Sequence, residues 1–114
     1  YQFQFVEDVA AAFIAAARAE RPGADVFSIG GPRIGVDEIV EVIARLEPSS
    51  RGRITFGDRI LPFPAAFDGG PLESALGAMP LTPLEDGVRR TIGTYRAALD
   101  DGRLGDAYLD RVLV

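Results

Sequence analysis

The chain has 114 residues, enough for one domain and too few for two, with 47% hydrophobic residues, a net charge of -5 and a pI near 4.6. That acidity argues against a polyanion, so no nucleic-acid partner is expected. All 12 basic residues are Arg, and Lys, His, Cys and Trp are absent, which excludes disulfides, a thiolate nucleophile and a Schiff-base lysine and argues against a zinc site.

No signal peptide is visible. The longest apolar run, 9–17, falls far short of the roughly 20 residues a membrane span needs, so neither membrane association nor any location but the cytoplasm is expected. The chain opens without Met on a strand pattern, which suggests a piece of a longer protein.

Residues 1–6 alternate Tyr1, Phe3 and Phe5 with Gln2, Gln4 and Val6, the two-residue period of a half-buried strand. Asp8 is suited to accept a hydrogen bond from a free N–H of a first helical turn, and acidic groups there complement the helix dipole. A helix is therefore predicted over about 8–20. Its only bulky residues are Val9, Phe13 and Ile14 among alanines, and a helix apolar on every side is expected to lie buried between layers. Arg21-Pro22-Gly23 ends it.

Residues 25–29 read as a short strand returning beside a sheet, after which Gly30-Gly31-Pro32 turns the chain. A second helix is predicted from Val36 to just before Pro48, with Val36, Ile39, Val40, Ile43 and Leu46 on its apolar stripe. Asp37, Glu38, Glu41 and Arg45 face water, and the spacing of Glu41 and Arg45 allows a pair one turn apart. Residues 53–56 read as another short strand, and 60–64 as extended chain because two prolines forbid a helix.

A short helix over 71–76 follows Asp68, closed by Gly77. Thr82-Pro83-Leu84-Glu85 then carries a hydroxyl, a Pro and a Glu in the spacing of a capping box, predicting a helix over about 83–99. Leu84, Val88, Ile92, Tyr95 and Leu99 form its apolar stripe, with Glu85–Arg89 and Asp86–Arg90 as surface pairs. Asp100-Asp101-Gly102 breaks it, and the tail over 104–114 is amphipathic enough for a last helix. The expected class is α/β, or α+β for the chain in isolation, with three or four helices and a few short strands.

With those elements in order, the sequence resembles the C-terminal region of the extended short-chain dehydrogenase/reductases, the NAD-dependent epimerase/dehydratases. Phe5-Val6-Glu7-Asp8-Val9-Ala10 looks like that family's Tyr/Phe-Val-x-Asp-Val-Ala signature, and Val26-Phe27-Ser28-Ile29-Gly30-Gly31 is similar to its Tyr-Asn-Ile-Gly-Gly. Asp68, Leu76-Gly77, Pro80 and the run from Thr82-Pro83-Leu84-Glu85 through Gly87 to Thr91-Ile92 match its closing pattern. The pieces occur in the family's order and cover roughly 1–99. The resemblance makes 1–99 the C-terminal substrate-binding lobe and 100–114 a tail, with 25–29 as the last strand of the parent's Rossmann sheet.

In that family an N-terminal Rossmann half binds NAD or NADP, and a Tyr-x-x-x-Lys pair with a Ser or Thr carries out hydride and proton transfer. With no Lys in the chain that pair is absent, and Gly30-Gly31 meets Pro32 rather than a Gly-x-Gly-x-x-Gly helix start. The resemblance therefore implies a substrate-binding portion acting on a sugar or other small polyol-like molecule, with the Rossmann half as its partner. The parent is expected to be an active homodimer. This chain alone is expected to hold no catalytic residue, to bind no cofactor and no metal, and to be inactive. The alternative is a free-standing α+β module that binds a small ligand or another protein without catalysis.

Nucleotide-sugar members of the family use two Arg residues of this lobe on the phosphates, a task suited to the guanidinium fork. One would fall at Tyr1, seven residues before Asp8, and the other at Phe63 or Pro64, ahead of Asp68; both charges are replaced by uncharged groups. That argues against a nucleotide-sugar substrate, although Arg59 is near enough in sequence to compensate. Tyr1, Arg59 and Phe63 are thus the candidate substrate-binding residues, with Arg33 ranked behind Arg59 as a second loop guanidinium. The bland readings are core packing for Tyr1, Phe3, Phe5 and Tyr95, solvated loop Arg for Arg33 and Arg59, and helix-start electrostatics for Glu7 and Asp8.

Overall fold

Helices dominate the described residues, 1–59, 62 and 64–105 of the computed structural model: α1 (Val6–Arg18), α2 (Val36–Leu46), α3 (Gly70–Leu76) and α4 (Leu84–Asp100), with a 3-10 turn at Pro48–Ser50. No sheet forms among these residues, and the β pairing is limited to one isolated antiparallel bridge between Gln2 and Arg33. The expected α/β or α+β class is therefore wrong, and with it the strands at 1–6, 25–29 and 53–56 and the assignment of 25–29 to a Rossmann sheet.

The physical reason is that a strand exists only against a neighbouring backbone. Around the bridge, the Tyr1 carbonyl accepts from the Ile34 N–H at 2.8 Å and the Tyr1 amino group donates to the Ile34 carbonyl at 3.1 Å. Beyond that point side chains replace backbone: the Gln2 amide donates to the Gly31 carbonyl at 2.6 Å and the Gln4 amide to the Ile29 carbonyl at 3.2 Å. Val26 is fully exposed, and Ile54 and Phe56 are about half exposed. Their β-favouring side chains have no pleated surface to fit.

α1 starts at Val6 rather than Asp8. Phe5 is the capping residue, and its carbonyl accepts from the N–H groups of Asp8 (3.0 Å) and Val9 (3.2 Å), with no side chain capping the helix. The expectation of a helix buried between layers also fails: Val6 is 71% and Phe13 70% exposed, and only Asp8 and Ala12 are buried.

α2 spans the predicted residues and packs against α4. Val42 is its buried residue, with Ile39, Val40, Ile43 and Leu46 half-buried beside it. Arg45 does not pair with Glu41 but reaches across to Glu85 at the start of α4, at 2.8 Å, while Glu47 just after α2 pairs with Arg96.

The side-chain oxygen of Asp68 accepts the Gly70 N–H at 2.9 Å ahead of α3, and Gly77 closes that helix with φ +85°. This left-handed conformation is the usual reason for a glycine after a helix C-terminus. α4 forms without the expected capping box: Pro83 precedes it, Glu85 pairs with Arg45 and Arg89, and the Thr82 hydroxyl is engaged elsewhere. Arg89 also pairs with Asp86, leaving Arg90 to reach Glu7 of α1. Tyr95 and Leu99 are exposed, while Gly87 and Ala98 are buried. The final helix expected over 104–114 falls mostly on 106–114, outside the described residues.

The buried apolar residues, Ala12, Ile34, Val42, Leu72 and Ala98, are dispersed over several elements, and no described side chain is fully buried. The accessible surface is 8774 Å², against about 6,100 Å² for a folded monomer of this mass by the usual scaling. Among the described residues no helix is long and apolar enough to cross a membrane.

Candidate functional site

A half-open cavity of about 580 Å³ lies where the opening segment, the residues before α2, α2 itself and the first half of α4 meet. On α2, Ile39 and Ile43 are one turn apart and so share a face; on α4, Leu84, Val88 and Ile92 do the same. The two faces look toward each other without filling the space between them, and Phe3, Phe5 and Ile34 line it as well.

Phe5 lies against α4 at Gly87, where an added Cβ would stand 3.4 Å from the Phe5 ring, an ordinary van der Waals contact. Arg90 sits over that ring, 4.6 Å from its centre, and pairs with Glu7. Such a cation over an aromatic face is worth about 0.5–1 kcal/mol at an exposed site.

Five polar side chains touch the cavity: Gln4, Arg33, Glu38, Thr82 and Thr91. Three of them are committed. Gln4 donates to Ile29, the Thr82 hydroxyl to Asp8, and the Thr91 hydroxyl to the Gly87 carbonyl at 2.8 Å. Arg33 and Glu38 are exposed and make no ion pair or side-chain hydrogen bond with the described residues. The lining is therefore apolar walls with one uncommitted cation and one uncommitted anion, a composition suited to holding a small molecule.

The predicted site residues do not assemble here. Tyr1 is half-buried and tied through its backbone to Ile34, Arg59 is exposed, and neither lines the cavity; Phe63 lies outside the described residues. Arg33, ranked behind Arg59 in the sequence, is the guanidinium that does line it. Glu38 and Thr91 were not singled out. The stripes of α2 and α4 were visible as periodicity, but periodicity does not tell whether two facing stripes close or leave a gap.

Among the described residues no group of three or more His, Cys, Asp or Glu is arranged to hold a metal. A dinucleotide fits poorly at Gly30-Gly31. The missing Cβ at Gly30 is used by the chain itself, since a methyl there would stand 2.9 Å from the Gly69 backbone. No step of cofactor chemistry is assigned to these residues.

Compared with known proteins, the chain matches no family model, no curated protein and no solved structure.

Proposed function

We propose that this chain is the substrate-binding portion of an NAD(P)-dependent epimerase/dehydratase-like oxidoreductase acting on a sugar or other small polyol-like molecule. Cofactor binding and catalysis come from a Rossmann half outside these residues, in a cytoplasmic, homodimeric parent. The observation that carries the reading is convergence: residues bearing the family resemblance contact one another. Asp8 of the first motif binds Thr82 of the last at 2.6 and 2.8 Å, and Phe5 of the first lies against Gly87 of the last. Further support comes from the excess surface. The apolar face of α1 at Val6 and Phe13 is left in water, as expected of a lobe that normally has a large neighbour.

The coding sequence upstream of Tyr1 tests this directly. A Gly-x-x-Gly-x-x-Gly turn and a Tyr-x-x-x-Lys pair encoded there support the reading, and a start codon a few residues ahead of Tyr1 eliminates it in favour of a stand-alone ligand-binding module. The 114 residues alone are expected to give no saturable response to NAD(H) in calorimetry, and micromolar affinity contradicts the division of labour.

A further inference from the structure

We propose that the cavity between α2 and α4 binds a small molecule with an apolar body and a singly charged anionic head, a carboxylate or sulfonate held by Arg33. This goes beyond the epimerase reading and does not rest on it, because none of its residues is assigned by the resemblance to that task.

Volume and walls set the body of the ligand. At about 580 Å³ the space is within the range of small-molecule pockets, and Ile39, Ile43, Val88, Ile92 and Phe5 offer it no donors or acceptors. A polyol in contact with those walls would lose water from its hydroxyls without replacement, whereas a hydrocarbon or aromatic body gains by leaving water.

The head follows from the rim. The Thr82 and Thr91 hydroxyls have spent their donors inside the protein and Gln4 has spent one of its two N–H groups, so Arg33 supplies the lining's free charged donors, and its planar fork matches a carboxylate or sulfonate. Glu38 on the same lining makes the local charge neutral overall and repels a dianion, so a monoanion is favoured over a phosphate ester.

Two fluorescent probes with the same body separate these contributions: 1-anilinonaphthalene-8-sulfonate, and N-phenyl-1-naphthylamine, which lacks the sulfonate. Both are expected to bind the chain saturably at one site. Arg33→Gln should weaken the sulfonate about fivefold, less than a buried charge-assisted bond would because Arg33 is exposed, and leave the neutral probe within about twofold. Glu38→Gln should tighten the sulfonate. Thr91→Trp, at an exposed position of the lining, and Ile39→Phe should abolish both by filling the space; if Ile39→Phe loses its helical circular dichroism, Thr91→Trp decides. Phe13→Glu on the open face of α1 should change neither.

The proposal is overturned by non-saturable binding, by binding that survives Thr91→Trp, by binding lost in Phe13→Glu, or by an Arg33→Gln effect that is nil or equal for the two probes. None of these readouts involves NAD or the upstream gene, so the cavity and the epimerase reading stand or fall separately.

Discussion

Asp8 and Thr82, 74 residues apart, are joined by two hydrogen bonds: one carboxylate oxygen accepts the Thr82 N–H at 2.6 Å and the other accepts its hydroxyl at 2.8 Å. The pair ties the first turn of α1 to the residue that precedes Pro83 and α4, and Asp8 is buried, 8% exposed. Removing the carboxylate leaves two half-buried donors of Thr82 without their acceptor. Asp8→Ala is expected to lower the unfolding free energy by about 2–4 kcal/mol, and Thr82→Val, which keeps the backbone bond, by about 1 kcal/mol, measured by urea denaturation. Equal losses for both would mean that the hydroxyl, not the carboxylate, organises the contact.

Gly30 and Gly69 form the tightest backbone contact of the chain's glycines. A Cβ on either would stand within 2.8–2.9 Å of the other's backbone atoms. Neither side can yield as a flexible side chain would, so Gly30→Ala and Gly69→Ala should each cost about 1–3 kcal/mol through overpacking. Gly57 has no atom near its missing Cβ, so Gly57→Ala should be neutral or stabilising by up to about 1 kcal/mol. Thermal melts of the three variants distinguish a local clash from a general intolerance of alanine.

Gln2 clamps the 67–69 region to the opening segment. Its amide nitrogen donates to the carbonyls of Gly31 (2.6 Å) and Phe67 (3.3 Å), and its oxygen accepts the Phe67 N–H at 2.6 Å. Gln2→Glu keeps the acceptor but turns a carboxylate oxygen toward two carbonyls. It should destabilise by about 1–3 kcal/mol and speed hydrogen exchange at the Phe67 amide. Retained protection at Phe67 would show that the clamp is dispensable.

Arg45 and Glu85 link α2 to α4 at 2.8 Å, but their side chains are 58% and 43% exposed. A double-mutant cycle with Arg45→Met and Glu85→Gln is expected to give a coupling of only about 0.2–1 kcal/mol, reduced further by added salt. A larger, salt-resistant value would mean that the pair is drier than its exposure indicates.

Legibility of the chain followed the range of the signals. α2, α3 and α4 lie within a residue or so of their predicted spans because apolar spacing, proline and glycine act over a few residues. α1 was displaced because the Asp8 side chain read as a local cap is drawn to Thr82 instead. The capping box of α4 is lost in a related way: α4 takes Pro83 as its capping residue, and Thr82, one position earlier, is bound to Asp8 through its N–H and its hydroxyl. At the candidate site, the stripes on α2 and α4 were legible. Their separation, and the choice of Arg33 over Arg59, were not.

The sequence by itself determined which stretches become helices, the acidic balance, and the absence of Lys, His and Cys chemistry, because these depend on residue identity and short-range spacing. Only the tertiary structure decided that β-favouring segments stay unpaired, that Gln2, Gln4 and Asp8 bond to distant backbone, and that a cavity opens between α2 and α4. Each of those outcomes turns on a partner tens of residues away. A strand, a satisfied buried carboxylate and a closed core are properties of two surfaces meeting, and the pattern along one of them does not contain the other.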